Sequence, residues 1–106
     1  MLQQRNGANT GIACQLIAST AGTTQLLRLF DLYAGSSVMD TAHEVIVGSV
    51  YMLALARDTD SFTCGATNPT ATVTGTSAGG AGALEVGLRA RNMAANVAWV
   101  LVIQSP

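Results

Sequence analysis

Apolar and polar residues alternate along much of the chain with a period of two, the pattern of β-strands that bury one face. The alternation is cleanest in residues 83–91, ALEVGLRAR, where apolar residues occupy the even positions. It recurs in residues 11–19 and in residues 61–77, where Asn68-Pro69 interrupts it. These segments are predicted strands, and Asn68-Pro69 is a predicted turn.

Two other regions are rich in residues that favour strands. Residues 44–50 and 50–57 predict two strands or one long bent strand, with Gly48-Ser49 as the bend. Residues 57–61 have the composition of a turn. Residues 97–103, VAWVLVI, are apolar throughout. We expect them to form a terminal strand buried on both faces, against a second sheet or a neighbouring subunit.

The segment from Thr23 to Tyr33 fits two structures. A helix here would be capped by Thr23, would bury one apolar stripe and would end at Gly35. A strand would carry a charged residue on each face, Asp31 on one and Arg28 on the other. We predict a strand, because consecutive strands tend to pair, and keep one short helix over residues 23–33 as the alternative.

Seven or eight short strands separated by turns are typical of an all-β domain. A chain of 106 residues is one domain of common size. We therefore predict a single antiparallel domain over residues 1–106, either a β-sandwich or a jelly-roll-like barrel. Residues 1–10 are polar and are predicted to form an N-terminal arm that can contact a partner.

The composition indicates how the surface is used. Hydrophobic residues make up 49% of the chain and charged residues 10%, whereas ordinary soluble domains carry about 25% charged residues. A small domain has much surface for its volume, so uncharged residues must face outward. Such a surface favours contact with other chains, and we predict a homo-oligomer or a subunit of a larger protein assembly.

The charge pattern argues against a nucleic-acid partner, and the length of the apolar stretches argues against a membrane partner. The formal net charge is −1, all five basic residues are arginines, and only Arg89 and Arg91 lie close in sequence. The clustered cations that displace counterions from nucleic acid are missing, so no nucleic-acid partner is expected. The longest apolar stretches, residues 45–56 and 97–103, fall short of the roughly 20 residues that span a bilayer, so no membrane partner is expected.

The N-terminal residues and the two cysteines predict synthesis without export. No cationic start followed by an apolar run is present in MLQQRNGANTG, so no secretion signal is expected. Cys14 and Cys64 are too few for a disulfide scaffold. We expect two free, buried thiols, with pairing as the alternative.

The stretch from Gly75 to Gly82, GTSAGGAG, matches the GxSxG pattern that presents a nucleophilic serine in many hydrolases. Ser77 would need a base, and the only histidine is His43. In the α/β-hydrolases the histidine follows the serine and a helix follows the turn. Here the histidine comes first and a predicted strand follows, so a serine hydrolase is only a remote alternative.

A phosphate-binding loop is also excluded, because a Walker loop requires lysine and the chain has none. We predict no catalytic residue and no cofactor. The stretch is instead expected to be a flexible loop between two strands that contacts a partner. Its contact residues would be Gly75, Ser77, Gly79, Gly80 and Gly82.

Two clusters contain residue types that bind metals. Asp40, His43 and Glu44 lie close in sequence, but no second histidine follows at the spacing of zinc proteases. Asp58 and Asp60 share one predicted turn, yet Ca²⁺ needs six or more oxygen ligands. Both clusters are predicted to be solvated turns and no metal is expected, with a pH-sensitive interface contact at His43 as an alternative.

The large apolar residues are expected to anchor the core or an interface. The predicted anchors are Trp99, Val97, Leu101, Ile103 and Tyr51. A second hypothesis is a carbohydrate- or other ligand-binding β-sandwich. Its binding residues would be Tyr33, Tyr51 and the turn that contains Asp58 and Asp60.

In size, composition and predicted architecture the whole chain resembles the head-decoration, or cement, proteins and other small structural proteins of tailed bacteriophages. The shared features are low charge, abundant Ala, Gly and Thr, and an apolar terminal strand. No motif carries the resemblance, so no functional residue is transferred. It implies a non-enzymatic virion component that is made in the host cytoplasm, forms trimers or other rings, and binds the lattice of a capsid shell.

Overall fold

The computed structural model describes seven stretches of the chain. They are residues 2–5, 11–17, 25–32, 34–46, 48–77, 85–88 and 101–102. Residues 79, 80, 82, 97, 99 and 103, which include several of the predicted loop and anchor residues, lie outside these stretches.

The described residues form eight β-strands and no helix. The strands are β1 (Leu2–Arg5), β2 (Gly11–Ile17), β3 (Leu26–Asp31), β4 (Ser36–Ala42), β5 (Leu53–Asp58), β6 (Ser61–Ala66), β7 (Ala71–Thr76) and β8 (Glu85–Leu88). They form two antiparallel sheets, in the orders β4-β3-β2-β1-β8 and β5-β6-β7.

The two sheets pack face to face. Strand β7 lies over β3 and β4, β6 over β2 and β3, and β5 over β1 and β2. The predicted mainly β fold with sandwich architecture is confirmed, and the alternative of a closed barrel is wrong because the sheets remain separate.

Alternation within the strands builds the core between the sheets. In β6 every second residue is buried, and β3 buries Leu27, Leu29 and Asp31 in the same way. Because the two sheets pack face to face, these inward rows meet in one cluster. Its buried members are Ile12, Cys14, Leu27, Leu29, Phe62, Cys64, Ala66 and Val73.

The ambiguous segment is a strand. Leu26–Asp31 pairs with β2 on one side and β4 on the other, so the strand prediction is confirmed and the helix alternative is wrong. A helix would have left the neighbouring strands without these ladder hydrogen bonds. Asp31 is the charged residue on the otherwise apolar inward face of β3, and it accepts a hydrogen bond from Ser77.

The sequence analysis missed strand β4 and placed a strand where none exists. Ser36–Ala42 pairs with β3, whereas residues 43–46 and 48–52 contain no strand. The alternation in β4 is hidden by a β-bulge, which makes Val38 an extra residue in the ladder. β4 also lies at a sheet edge, where polar residues such as Asp40 face water.

The expectation of free thiols is wrong. Cys14 on β2 and Cys64 on β6 form a disulfide that joins the two sheets, with their Cα atoms 5.2 Å apart. The two residues are 50 positions apart in sequence, so nothing local indicated that their strands would stack.

The two ends of the chain also differ from expectation where they are described. Residues 2–5 of the predicted arm form β1, which pairs with β2 and with β8. Leu101 and Val102 are 67% and 62% exposed and form no strand, so the predicted burial on both faces is wrong at these two positions. The described residues include no helix long and apolar enough to cross a membrane.

Candidate functional site

Ser77, the serine of the GxSxG match, closes one end of the sandwich. It is buried, and its backbone N–H donates to the Asp60 carbonyl at 2.9 Å. Its hydroxyl Oγ donates to Asp31 Oδ2 at 2.5 Å, and Asp31 Oδ1 accepts from the Ala34 N–H at 3.0 Å. Ser77 therefore ties the end of β7 to the turn between β3 and β4.

Gly75 is required by packing. A Cβ atom at this position would lie 2.3 Å from Val38 Cγ1, the side chain that the bulge in β4 adds to the core side. Gly75 is part of β7, and Ser77 is buried. Neither is an exposed loop residue, in contrast to the flexible partner-contact loop predicted from the sequence.

His43 closes the opposite end. It is only 3% exposed, so the prediction of a solvated turn is wrong at this residue. Its Nδ1 lies 2.9 Å from the Glu44 carbonyl oxygen and its Nε2 lies 2.7 Å from the Pro69 carbonyl oxygen. A neutral ring can donate to one of these acceptors and an imidazolium to both. The ring also makes an edge contact with Tyr51.

The structure does not bring Ser77 and His43 together. Ser77 bonds to Asp31 at one end of β3, and the His43 N–H donates to the Gln25 carbonyl, just before the other end. Six residues of extended chain separate these two points, which is about 20 Å. A general base must lie within about 3 Å of the proton it removes, so His43 cannot activate Ser77.

Three acidic residues of the two predicted clusters, Asp40, Asp58 and Asp60, lie at the surface. Asp40 Oδ2 lies 3.6 Å from Arg28 Nε on the neighbouring strand. Asp58 ends β5, and Asp60 is the second residue of the two-residue turn between β5 and β6, so the predicted turn is confirmed. Both residues are exposed. Within the described part of the chain, no three His, Cys, Asp or Glu residues are grouped so that they could hold a metal ion.

Residues 43–52, here called the crossover loop, carry the chain from β4 in one sheet to β5 in the other. Val47 within this loop lies outside the described residues. The Gln25 side chain fixes the first half of the loop: its Nε2 donates to the Val45 carbonyl at 3.1 Å, and its Oε1 accepts from the Val45 N–H at 2.9 Å. At the far end of the loop, the Thr67 N–H donates a hydrogen bond to the Met52 carbonyl, and the Met52 N–H donates one to the Thr67 hydroxyl oxygen.

Tyr51, a predicted anchor, is half-buried and contacts the first half of the crossover loop. Its hydroxyl accepts from the Ile46 N–H at 2.6 Å and its ring packs against His43. Gly48 adopts a φ of +87° at Gly48-Ser49, where the sequence predicted a bend. The loop is therefore held by hydrogen bonds from Gln25, Tyr51 and Thr67.

The crossover loop presents apolar side chains to water. Ile46 is 52% exposed, Val50 83% and Met52 53%. We call these three residues the apolar patch. Three residues of this size within one loop, each more than half exposed, expose roughly a few hundred Å² together.

Sequence reasoning missed the apolar patch. It assigned these residues to strands, in which alternate side chains would enter the core. The turn predicted at Gly48-Ser49 was the one available signal, because a turn in the middle of an apolar run forces neighbouring side chains outward. Gln25, which holds the loop, carried no signal of its own.

Comparison with protein-family models, with curated proteins and with solved structures finds no match to the chain.

Proposed function

We propose that this chain is a non-enzymatic structural protein that associates with copies of itself and attaches to a larger protein assembly. The observation that supports this proposal is the apolar patch of Ile46, Val50 and Met52 on the hydrogen-bonded crossover loop. The two residues that suggested catalysis have structural partners instead, Ser77 at Asp31 and His43 at the Pro69 carbonyl.

The patch is suited to binding because it is ordered before the partner arrives. The side chain of Gln25 and the hydroxyl of Tyr51 already hold the loop backbone, so little conformational entropy remains to be lost on association. Burial of apolar surface contributes about 25 cal/mol per Å². Glu44 is the only Asp, Glu, Lys or Arg residue of the loop, and an exposed ion pair would add about 1 kcal/mol or less.

A symmetric assembly would multiply this modest contact. Several copies that bind one lattice together gain affinity without new contacts, because each later contact is intramolecular. The resemblance to phage head-decoration proteins suggests one setting for such a role, the outer surface of a capsid, with the trimer as the expected oligomer. That setting is part of the proposal.

The proposal is tested by size-exclusion chromatography with light scattering over a range of concentrations. We expect the wild-type chain to form oligomers. The oligomer of the triple variant Ile46→Ser, Val50→Ser, Met52→Ser should begin to dissociate at a protein concentration at least about tenfold higher than the wild-type oligomer does.

Met39→Ser is the matched control. Met39 is 50% exposed but lies on strand β4 beside Asp40 and does not belong to the crossover loop, so its replacement should leave the oligomer intact. A wild-type chain that remains monomeric at every concentration would overturn self-association. Equal loss of the oligomer in the control and the triple variant would remove the patch as its cause.

A further inference from the structure

The disulfide lies in the buried core of the part of the chain that the structure describes. Cys14 and Cys64 are both fully buried, and each belongs to the hydrophobic core between the sheets. Leu27 and Leu29 on β3 and Phe62 on β6 are fully or almost fully buried in the same cluster. The two sulfurs therefore sit between packed sheets, away from solvent.

Making or breaking this bond requires an attacking thiolate to reach a sulfur atom. Thiol–disulfide exchange proceeds through direct attack and a mixed disulfide, and its rate depends on access. In the closed sandwich neither sulfur can be reached by a second molecule. Separation of the sheets is needed first, because the bond joins β2 of one sheet to β6 of the other.

We propose that the disulfide forms while the two sheets are still open, and that closure of the sandwich then protects it from reduction. The Cys14 and Cys64 thiols together lose two protons and two electrons as the S–S bond forms. A disulfide-bearing oxidant, either a dithiol–disulfide oxidoreductase or a small-molecule disulfide, accepts them as its own S–S bond breaks to two thiols. The chain is thus built to fold where such an oxidant is present.

This inference is independent of the proposed function and concerns the place where the chain matures. Disulfides persist in secreted, periplasmic and extracellular proteins and are rare in a reducing cytosol. A chain made and kept in a reducing cytoplasm, as expected from the sequence, should contain two thiols. A chain folded in an oxidising compartment should contain none.

The first experiment counts thiols. The full chain is produced in a reducing bacterial cytosol and, separately, in an oxidising secretory compartment, then unfolded in urea with N-ethylmaleimide and weighed by mass spectrometry. We expect no adduct on the chain from the oxidising compartment, and adducts on both cysteines of the chain from the reducing cytosol. Two adducts on the chain from the oxidising compartment would overturn the proposal.

The second experiment measures access to the bond in the folded protein. With excess dithiothreitol, reduction in native buffer should be at least about 100-fold slower than in urea, because unfolded molecules are a very small fraction under native conditions. Equal rates in the two solvents would show that the sulfurs are reachable in the closed sandwich and would overturn the proposal.

Two neighbouring residues on β7 supply a matched pair of variants. Val73 is buried in the core and Thr72 beside it is exposed. Val73→Ala should raise the rate of disulfide reduction in native buffer by the same factor by which it raises the unfolded fraction. Thr72→Ala should change that rate by less than about threefold, because surface substitutions have small effects on stability. A rate unaffected by Val73→Ala, despite lower stability, would contradict protection by closure.

Discussion

At the scale of single residues, Gly75 shows how a catalytic-looking motif arises from packing. The bulge in β4 places the Val38 side chain in the space that a Cβ atom at position 75 would occupy, and glycine leaves that space free. Ser77, two residues later, is the serine of the GxSxG match, and its hydroxyl donates a hydrogen bond to Asp31. Two separate structural requirements thus account for Gly75 and Ser77, two of the three residues that make the sequence resemble a nucleophile turn.

Gly75→Ala should lower the free energy of unfolding by about 2 kcal/mol, the usual cost of overpacking a filled core. Urea denaturation followed by fluorescence measures the change. Gly65→Ala is the control, because its nearest contact would be Thr72 Cγ2 at 3.4 Å, an ordinary separation. The loss should shrink when Val38→Ala is added to Gly75→Ala, and a purely additive double variant would show that Val38 is not the cause.

Thr59 adopts a backbone conformation that favours glycine. Its φ is 59°, it begins the two-residue turn between β5 and β6, and it is a β-branched residue. Thr59→Gly should raise the free energy of unfolding by about 1 kcal/mol, since the strain removed exceeds the added chain entropy. Thermal unfolding tests this expectation.

The same replacement in a regular strand should act in the opposite direction. Thr72→Gly on β7, where φ is ordinary, should destabilise by about 0.5 to 1 kcal/mol. Destabilisation by Thr59→Gly of the same size as by Thr72→Gly would mean that Thr59 is not strained.

At the scale of elements, sequence reasoning succeeded where hydrophobic burial alone determines structure. The hairpin of β6 and β7 follows from the alternation in residues 61–77 and the turn at Asn68-Pro69. Strand β4 could not be predicted in this way, because an edge position and a bulge remove the period of two. The crossover loop was mistaken for a strand, since apolar residues normally indicate burial.

The crossover loop depends on one side chain from the adjoining segment. Gln25→Ala removes both hydrogen bonds to Val45 and should lower the free energy of unfolding by about 1 to 3 kcal/mol, as expected when backbone groups lose their partners. The amide of Val45 should also lose protection against hydrogen exchange, which NMR measures.

Thr76→Ala is a suitable control, because Thr76 is exposed on β7 at the other end of the sandwich. If the Val45 amide stays as protected in Gln25→Ala as in the control, the Gln25 side chain does not hold the loop. If the loop loosens, we expect weaker self-association as well, because the apolar patch is then no longer preorganised.

At the scale of the whole molecule, two hydrogen bonds and one disulfide join the sheets across the apolar core. Ser77 and Asp31 join them at one end, His43 and Pro69 at the other, and the disulfide joins them in the middle. The sandwich class followed from counting strands and turns. The cross-sheet contacts did not, because each joins residues between 26 and 50 positions apart whose meeting depends on how the sheets stack.

The disulfide should be the largest single contribution among these contacts. It closes a loop of 50 residues, and the loss of conformational entropy in the unfolded chain corresponds to about 4 kcal/mol. The double variant Cys14→Ala, Cys64→Ala should therefore be less stable by about that amount in urea denaturation. Its m-value should also rise, because an unfolded chain without the cross-link exposes more surface.

Wild-type protein that has been unfolded, reduced and refolded in the presence of reductant is the control for this variant. It retains the sulfur atoms in the core but lacks the cross-link, so any difference between the two reports packing alone. We expect both to unfold at nearly the same urea concentration, well below that of the oxidised chain. If the reduced protein instead matches the oxidised one, the sheets are held by packing and hydrogen bonds, and the cross-link contributes little to stability.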